Sequence, residues 1–180
     1  LERNVAITLY TREWPQTKLQ LIEPSIVNPR YMGRWWRDAG FARAVTKEIM
    51  RGRFNLVQSH ELVLTCDVYR PADGIHATWL EERLRDAPAS LRMRVAMSPY
   101  HRYKLAMERR LFASPWLRRV LCNSKLVRDD IKARFGLPDE RLPVLYNAVD
   151  SNVFSPELRV HRERIRGKYK IPEDAMVYLL

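Results

Sequence analysis

The stretch that decides the fold is residues 117–146, LRRVLCNSKLVRDDIKARFGLPDERLPVLY. Its first part, Leu117 to Cys122, is rich in β-type residues and predicts a strand. Ser124 then supplies an N-cap oxygen for an amphipathic helix, and Gly136 ends that helix. Leu142 to Tyr146 returns to β character. A strand, a helix and a second strand in this order favour an α/β fold with an open, mainly parallel sheet and flanking helices.

Further strands and helices are predicted on both sides of this stretch, and the two kinds of element alternate through the second half of the chain. We predict further strands and helices from the period of the apolar residues and from the Gly and Pro positions between them. The predicted strands are Val5–Tyr10, Leu19–Val27, Phe54–Ser59, Leu62–Tyr69 (as a strand or as a strand plus a loop) and Ala175–Leu180. The predicted helices are Tyr31–Met50, Trp79–Arg85, Leu91–Phe112 and Glu157–Lys170.

Composition excludes several classes of protein. With 180 residues, 46% apolar and 29% charged, the chain can bury a core, which argues against a disordered or fibrous protein. No stretch without a charged residue is longer than eight residues, the length of Leu142 to Val149, whereas a membrane-spanning helix needs about 20. Cys66 and Cys122 form no CxxC pair and are expected to be small buried residues. The net charge of +11 indicates an anionic partner.

Two loops carry candidate site residues, because ligands of open parallel sheets bind at the carboxyl ends of the strands. In the first loop His60 and Glu61 directly follow a predicted strand, and a carboxylate beside an imidazole can orient a polar substrate or carry a proton. In the second, Arg70 to His76, the sequence Asp73-Gly74-Ile75-His76 places two proton-binding groups beside a flexible glycine. A capped loop and a plain turn are the alternatives.

Other patterns give no catalytic prediction. The chain contains no GxGxxG, Walker, HExxH or GxSxG motif. Its four histidines are too scattered to predict a metal site. Tyr103, Met107 and Leu111 are spaced as core residues of a helix, and Glu108-Arg109-Arg110 is expected to be a solvated face.

The basic and aromatic segment Ala77–Phe112 allows two kinds of partner. Lys and Arg beside Trp and Tyr can hold a protein against an anionic leaflet without spanning it. The same residue types can form a groove for the phosphate backbone of RNA or DNA. A basic surface without a partner is the third alternative.

The order of these pieces resembles the family-4 glycosyltransferases. The resemblance is carried by RVLCNSK at 119–125, by RFG at 134–136, by LPVLYNAVD at 142–150 and by FSP at 154–156. Within that family, QSHE at 58–61, DVYR at 67–70, DGIH at 73–76 and the helix bearing Glu108 are similar to lipopolysaccharide core glycosyltransferases, with the glucosyltransferase of inner-core heptose as the nearest kind.

The resemblance implies a GT-B architecture of two Rossmann-like domains. Residues 1–152 would form most of the acceptor-binding domain, and residues 153–180 the linker, helix and first strand of the donor-binding domain. The chain is then expected to be truncated at both ends, because the family's Gly-rich loop, its donor-side basic pair and its E-x7-E carboxylates are absent. A fragment without those groups is expected to be inactive alone, since nothing in it would stabilise the departing diphosphate.

The resemblance also implies roles for residues. Asp73 or His76 would be the acid/base or acceptor-orienting group, and the two remain alternatives. Acceptor binding is expected from His60, Glu61, Arg70, Gly74 and Trp79, and the interdomain cleft from Ser124, Asn147 and Asp150.

The implied reaction is transfer of a hexose, with retained anomeric configuration, from a nucleotide sugar to a lipopolysaccharide-core or related glycolipid. The donor is expected to be a UDP-sugar, with no metal and no other cofactor. The expected location is the cytoplasm, peripheral on the inner face of the bacterial inner membrane, with an anionic membrane surface and no nucleic acid as partner. A basic module that binds RNA or anionic lipid without catalysis is the alternative.

Overall fold

A computed structural model describes residues 5–14 and 22–178. Contacts divide the chain into two units, Leu1–Tyr146 and Asn147–Leu180. The first unit contains β1 (Ile7–Thr11), β2 (Ile22–Ile26), α1 (Arg34–Arg51), β3 (Gln58–Ser59), β4 (Val68–Tyr69), α2 (His76–Leu84), α3 (Ala89–Met97), α4 (Pro99–Phe112), β5 (Arg119–Val120), α5 (Lys125–Phe135) and a 3-10 helix, Asp139–Arg141. The second contains a 3-10 helix, Pro156–His161, and α6 (Arg162–Lys168).

Every strand pair among the described residues is parallel, as the sequence predicts. β1 pairs with β2 with Ile7 opposite Ile22. The other sheet has the order β3-β4-β5, and an isolated parallel bridge joins Cys122 to Val144 at its edge. The mainly parallel α/β fold is confirmed, although the strands form two separate sheets.

The strands are shorter than the sequence predicts. The predicted strand Phe54–Ser59 pairs only at Gln58–Ser59, and Leu142–Tyr146 contributes only the bridge at Val144. In the predicted strand Leu62–Tyr69 only Val68–Tyr69 pairs. Leu62, Val63 and Cys66 are buried there without being extended in a sheet, so their apolar character reflects core packing and not strand pairing. Positions 19–21 of the predicted second strand lie outside the described residues.

The predicted helix Leu91–Phe112 is wrong as one element. It divides into α3 and α4 at Ser98, which has an extended conformation (φ −68°, ψ 118°). The cause is Pro99, because a proline disfavours helical backbone at the residue before it and cannot donate to the preceding turn. Ser98 instead caps α4, with its Oγ accepting from the His101 N–H at 3.5 Å.

Helix α5 matches its prediction. The Ser124 Oγ accepts from the Val127 N–H at 3.2 Å at its start, and Gly136 ends it in the left-handed region at φ +66°. Its buried Ile131 packs in a core that also contains Leu111, Phe112 and Val120. The α4 stripe, Tyr103, Met107 and Leu111, packs against this core as predicted. Cys66 and Cys122 are buried and free, and burial raises the pKa of both thiols.

The second unit departs from its prediction at both ends. The expected helix Glu157–Lys170 begins as a 3-10 turn and is α-helical only over Arg162–Lys168. The expected strand Ala175–Leu180 is not in a sheet over the described residues 175–178. The guanidinium of Arg166 donates to the carbonyl of Ala175, the first residue of this segment, at 2.8 Å and to that of Glu173 at 3.0 Å.

No helix within residues 5–14 and 22–178 combines the length and the apolar character that crossing a membrane requires.

Candidate functional site

A cleft lies where β3 and β4 end. β3 ends at Ser59 and β4 at Tyr69, and the loops that follow them line a cavity of about 590 Å³ together with parts of α1, α2 and α4. This volume is within the range of small-molecule sites. The lining side chains that bear charge or an imidazole are Arg34, Arg37, His60, Glu61, Asp73, His76, Arg83, His101, Lys104 and Glu108.

The loop that carries Asp73 is fixed from two sides. Gly74 has φ +77°, a conformation that favours glycine, and its N–H faces the Pro71 carbonyl at 3.4 Å. The side chain of Asn123, which precedes α5, donates to the Ala72 carbonyl at 3.0 Å. These contacts hold the exposed Asp73 at the edge of the cleft.

Glu108 of α4 holds the start of α2. Its carboxylate accepts from the backbone N–H of His76 at 2.5 Å and of Ala77 at 3.2 Å. It thereby caps a helix whose own N-cap residue, Ile75, has no side-chain hydrogen bond to offer. Glu108 is only 3% exposed, and burial raises the pKa of its carboxyl against the effect of these hydrogen bonds. The prediction that Glu108 belongs to a solvated face is wrong, whereas Arg109 and Arg110 are exposed.

His76 and His101 form a pair. The Nε2 of His76 lies 3.0 Å from the Nδ1 of His101. One of these two atoms donates and the other accepts, so the remaining ring nitrogens of the neutral pair comprise one donor and one acceptor in either tautomeric arrangement. Trp79 and Tyr100 flank His76 with ring centroids at 5.4 and 6.0 Å. The pair can therefore accept a hydrogen bond from one substrate hydroxyl and donate one to another oxygen.

The charged groups of the cleft form two sets, which meet where Lys104 of the second set lowers the pKa of Glu108 of the first. Burial raises the pKa of Tyr69, and the nearby carboxylates of Glu108, Glu61 and Asp73 raise it further. We call these three residues the acidic half. Burial lowers the pKa of His76 to about 4, with contributions from His101 and Lys104. Burial, Arg83 and Arg34 lower that of His101. We call Arg34, Arg83, His101 and Lys104 the basic half.

The lowered histidine pKa values predict a loss of stability in acid. A histidine whose pKa falls on folding binds fewer protons in the folded state than in the unfolded state. The unfolding free energy is therefore unaffected by protonation of His76 above pH 6.5 and decreases as the pH falls from 6.5 toward about 4. The charged groups that face the pair are Lys104, Arg83 and Arg34. Between pH 7 and pH 5 we expect the full-length protein to lose about 1 kcal/mol more unfolding free energy than its His76→Gln variant, after allowance for solvent screening. Urea titrations at both pH values measure this, and equal losses in the two proteins would contradict it.

Six of the predicted site residues line one cleft: His60, Glu61, Asp73, Gly74, His76 and Trp79. Arg70 is not among the lining residues, and its backbone N–H donates to the Ser59 carbonyl at 2.9 Å. Ser124 is the N-cap of α5 in the first unit. Asn147 and Asp150 belong to the second unit, where the Asp150 carboxylate accepts from the Asn152 N–H at 2.9 Å.

Sequence reasoning missed the contributions of α1 and α4 to the cleft. Arg34 and Arg37 come from α1, and His101 and Lys104 from α4. His76 and His101 are 25 positions apart. No local pattern joins them, and only the packing of α2 on α4 brings them together. The dipeptide Ser98-Pro99 is a sequence signal for the start of a new helix, and His101 lies in the first turn of that helix.

Among residues 5–14 and 22–178, no group of three His, Cys, Asp or Glu side chains is placed to hold a metal ion.

Two known proteins are similar to this chain. The chain is 28% identical over 150 residues to a probable transglycosylase of Burkholderia thailandensis. The matched region covers 79% of this chain and 36% of that protein. The crystal structure of WaaG, a glycosyltransferase involved in lipopolysaccharide biosynthesis, matches with a TM-score of 0.71 at 19% identity. That match covers 94% of this chain and 44% of WaaG, and it supports the GT-B type of Rossmann-like fold.

The chain thus spans less than half of the length of either relative. The sequence profile described as Glycosyltransferase Family 4 matches residues 1–153, which is most of the chain. The fold, the cleft at the strand ends and this match agree, and the chain belongs to Glycosyltransferase Family 4.

Proposed function

We propose that this chain forms the acceptor-binding part of a retaining glycosyltransferase that transfers a hexose from a nucleotide sugar to a lipopolysaccharide-core or related glycolipid. The observation that carries the proposal is the cleft at the ends of β3 and β4, which both Asp73 and His76 line. Family membership supports the reaction class, and the involvement of the similar protein WaaG in lipopolysaccharide biosynthesis supports the acceptor class.

In the proposed reaction the acceptor sugar lies in the cleft with one hydroxyl against Asp73 or the His76–His101 pair. Both histidines are neutral at pH 7, because their pKa values are lowered, so the pair can accept the hydrogen bond of that hydroxyl. Trp79 is 45% exposed beside His76 and offers an apolar face for a sugar ring. Orientation of the hydroxyl is the contribution that these residues make to catalysis.

The donor is proposed to be a UDP-sugar, bound without a metal by a second domain. The domain boundary is proposed at residues 152 and 153, with Ser124, Asn147 and Asp150 at the interdomain cleft. The family's two-domain architecture supports these assignments. On this proposal the donor diphosphate and the acceptor hydroxyl meet at the open side of the acceptor cleft.

The membrane face is proposed to be the start of α1. Tyr31, Met32, Trp35 and Trp36 are all exposed, the two tryptophans by 46% each, next to Arg30 and Arg34. In the basic and aromatic segment Ala77–Phe112, by contrast, Tyr103 packs against the core and Tyr100 lines the cleft. Exposed aromatic side chains beside arginines suit the headgroup region of an anionic leaflet, and the net charge of +11 adds attraction. A cytoplasmic, peripheral position on the inner membrane follows from this proposal.

A transfer assay tests the proposed function. The full-length protein is incubated with radiolabelled UDP-glucose and vesicles that contain a lipopolysaccharide core lacking its outer sugars. We expect label in the lipid fraction with retained anomeric configuration, and stronger cosedimentation with anionic than with neutral vesicles. Absence of transfer from every UDP-hexose, with steeply salt-dependent binding of single-stranded RNA, would instead support the basic binding module.

A further inference from the structure

The basic half of the cleft contains two arginines without an acidic partner. Neither Arg34 nor Arg83 is within ion-pair distance of a carboxylate in the part of the chain that the structure describes. The other two cations of the lining differ, because Arg37 and Lys104 share Asp38 at 3.0 and 4.0 Å. The available positive charge of the cleft is therefore concentrated at Arg34 and Arg83.

Both guanidinium groups are held near one cluster of rings. The Cζ of Arg34 lies 5.9 Å from the centroid of Tyr100, and that of Arg83 lies 4.9 Å from the centroid of Trp79. Tyr100 and Trp79 are in turn 5.3 and 6.1 Å from His101. Two separate helices, α1 and α2, thus each bring a cation to the same ring cluster. Such stacking orients a guanidinium while its N–H groups stay free to donate.

Glu61 and Asp73 of the acidic half lie in the loops after β3 and β4, and Glu108 lies against the first residues of α2. Arg34 and Arg83 instead contact the rings of Tyr100 and Trp79. A ligand that fits this cleft therefore presents hydroxyl groups to the carboxylates and negative charge to the two arginines. A neutral sugar would leave the two arginines without a partner.

We propose that Arg34 and Arg83, which contact one ring cluster of Tyr100, His101 and Trp79, form a subsite for an anionic substituent, a phosphate or a carboxylate, carried by the acceptor sugar. This inference rests on the proposed function, since it specifies the acceptor class of the same cleft. Arginine recognises both oxyanions with paired N–H donors, and the neutral His101 adds a further donor when its free nitrogen is protonated. The bound anion fixes the sugar ring so that a hydroxyl reaches the acidic half and His76.

The diphosphate of the donor is the other source of an anion in a transferase cleft. We assign the subsite to the acceptor because the arginines belong to the same lining as Asp73 and the strand-end loops, entirely within the first unit. The test must therefore compare an acceptor-like phosphate with a nucleotide.

Calorimetric titration of the full-length protein provides this comparison. The probes are inorganic phosphate, glucose 6-phosphate, methyl glucoside and UDP, at constant ionic strength. The variants are Arg34→Gln and Arg83→Gln, with Arg94→Gln as the matched control, because Arg94 is exposed on α3 and does not line the cleft. We expect binding of both phosphates and tighter binding of glucose 6-phosphate than of methyl glucoside. Each of the two variants should weaken phosphate binding at least ~10-fold, as expected for loss of a charge-assisted hydrogen bond, and Arg94→Gln should not.

Three results would overturn the subsite. They are no binding of either phosphate at millimolar concentrations, equal binding by all variants, and a loss in Arg34→Gln and Arg83→Gln that affects UDP but not glucose 6-phosphate. Failure of the proposed function is a separate result. If the wild-type protein transfers no sugar and still binds phosphate through these arginines, the subsite remains and the enzymatic assignment is lost.

Discussion

We expect the Asp73→Ala and His76→Ala variants of the full-length protein to transfer sugar about 100-fold more slowly than the wild type, the lower end of what a positioned acid or base contributes. Asp73 is an exposed carboxylate on a loop fixed at Gly74 and Ala72. His76 begins α2 and is paired with His101. Loss of either group leaves the acceptor hydroxyl less well oriented in the cleft.

The division of this effect between kcat and KM identifies the role. Because the proposed donor site lies outside this cleft, we expect kcat to fall while the KM for the nucleotide sugar stays unchanged. Asp86→Ala and His161→Ala are the matched controls, since both residues are exposed and neither lines the cleft. Wild-type kinetics in both the Asp73 and the His76 variants would remove the site assignment.

The second large effect is on stability. Glu108→Ala should lower the unfolding free energy by about 3 kcal/mol, because it removes the acceptors of two backbone N–H groups at the start of α2 and a negative charge at the N-terminus of that helix. Since the same groups place His76, turnover should fall as well. Urea denaturation of the full-length protein measures the first effect and the transfer assay the second.

Glu82→Ala is the matched control for this substitution. Glu82 is exposed on α2 and forms a surface ion pair with Arg85, so its loss should change stability by less than about 0.5 kcal/mol. A similar small change in Glu108→Ala would show that the carboxylate does not hold α2. Glu108→Gln should be intermediate, because an amide offers one acceptor oxygen where the carboxylate offers two.

The sequence predicted those elements whose signals are local. α5 is an example, because Ser124 caps its start and Gly136 ends it, directly before and after the apolar period, and the helix forms as predicted. The strands were overestimated because apolar residues at 62–66 are buried in the core without pairing, and a single sequence does not distinguish these two reasons for burial. The break at Ser98 follows from the residue after it, and the helical period on both sides of Pro99 concealed it.

The residues of the cleft were likewise predictable only where their signals are local. His60, Glu61, Asp73 and His76 follow strands directly, and the strand-end rule places such residues together. His101, Glu108 and Arg34 reach the cleft from helices far along the chain. Their positions depend on how α1 and α4 pack, which no spacing in the sequence encodes. The charged run Glu108-Arg109-Arg110 predicts a solvated face, which is correct for the two exposed arginines and wrong for the buried Glu108.

A crystal structure of the full-length protein with UDP and a core oligosaccharide acceptor tests the central claim most directly. We expect the acceptor sugar in the cleft between β4 and α4, with a hydroxyl within hydrogen-bond distance of Asp73 or of the His76–His101 pair. An acceptor bound elsewhere on the protein, with UDP or nothing in this cleft, would contradict the assignment.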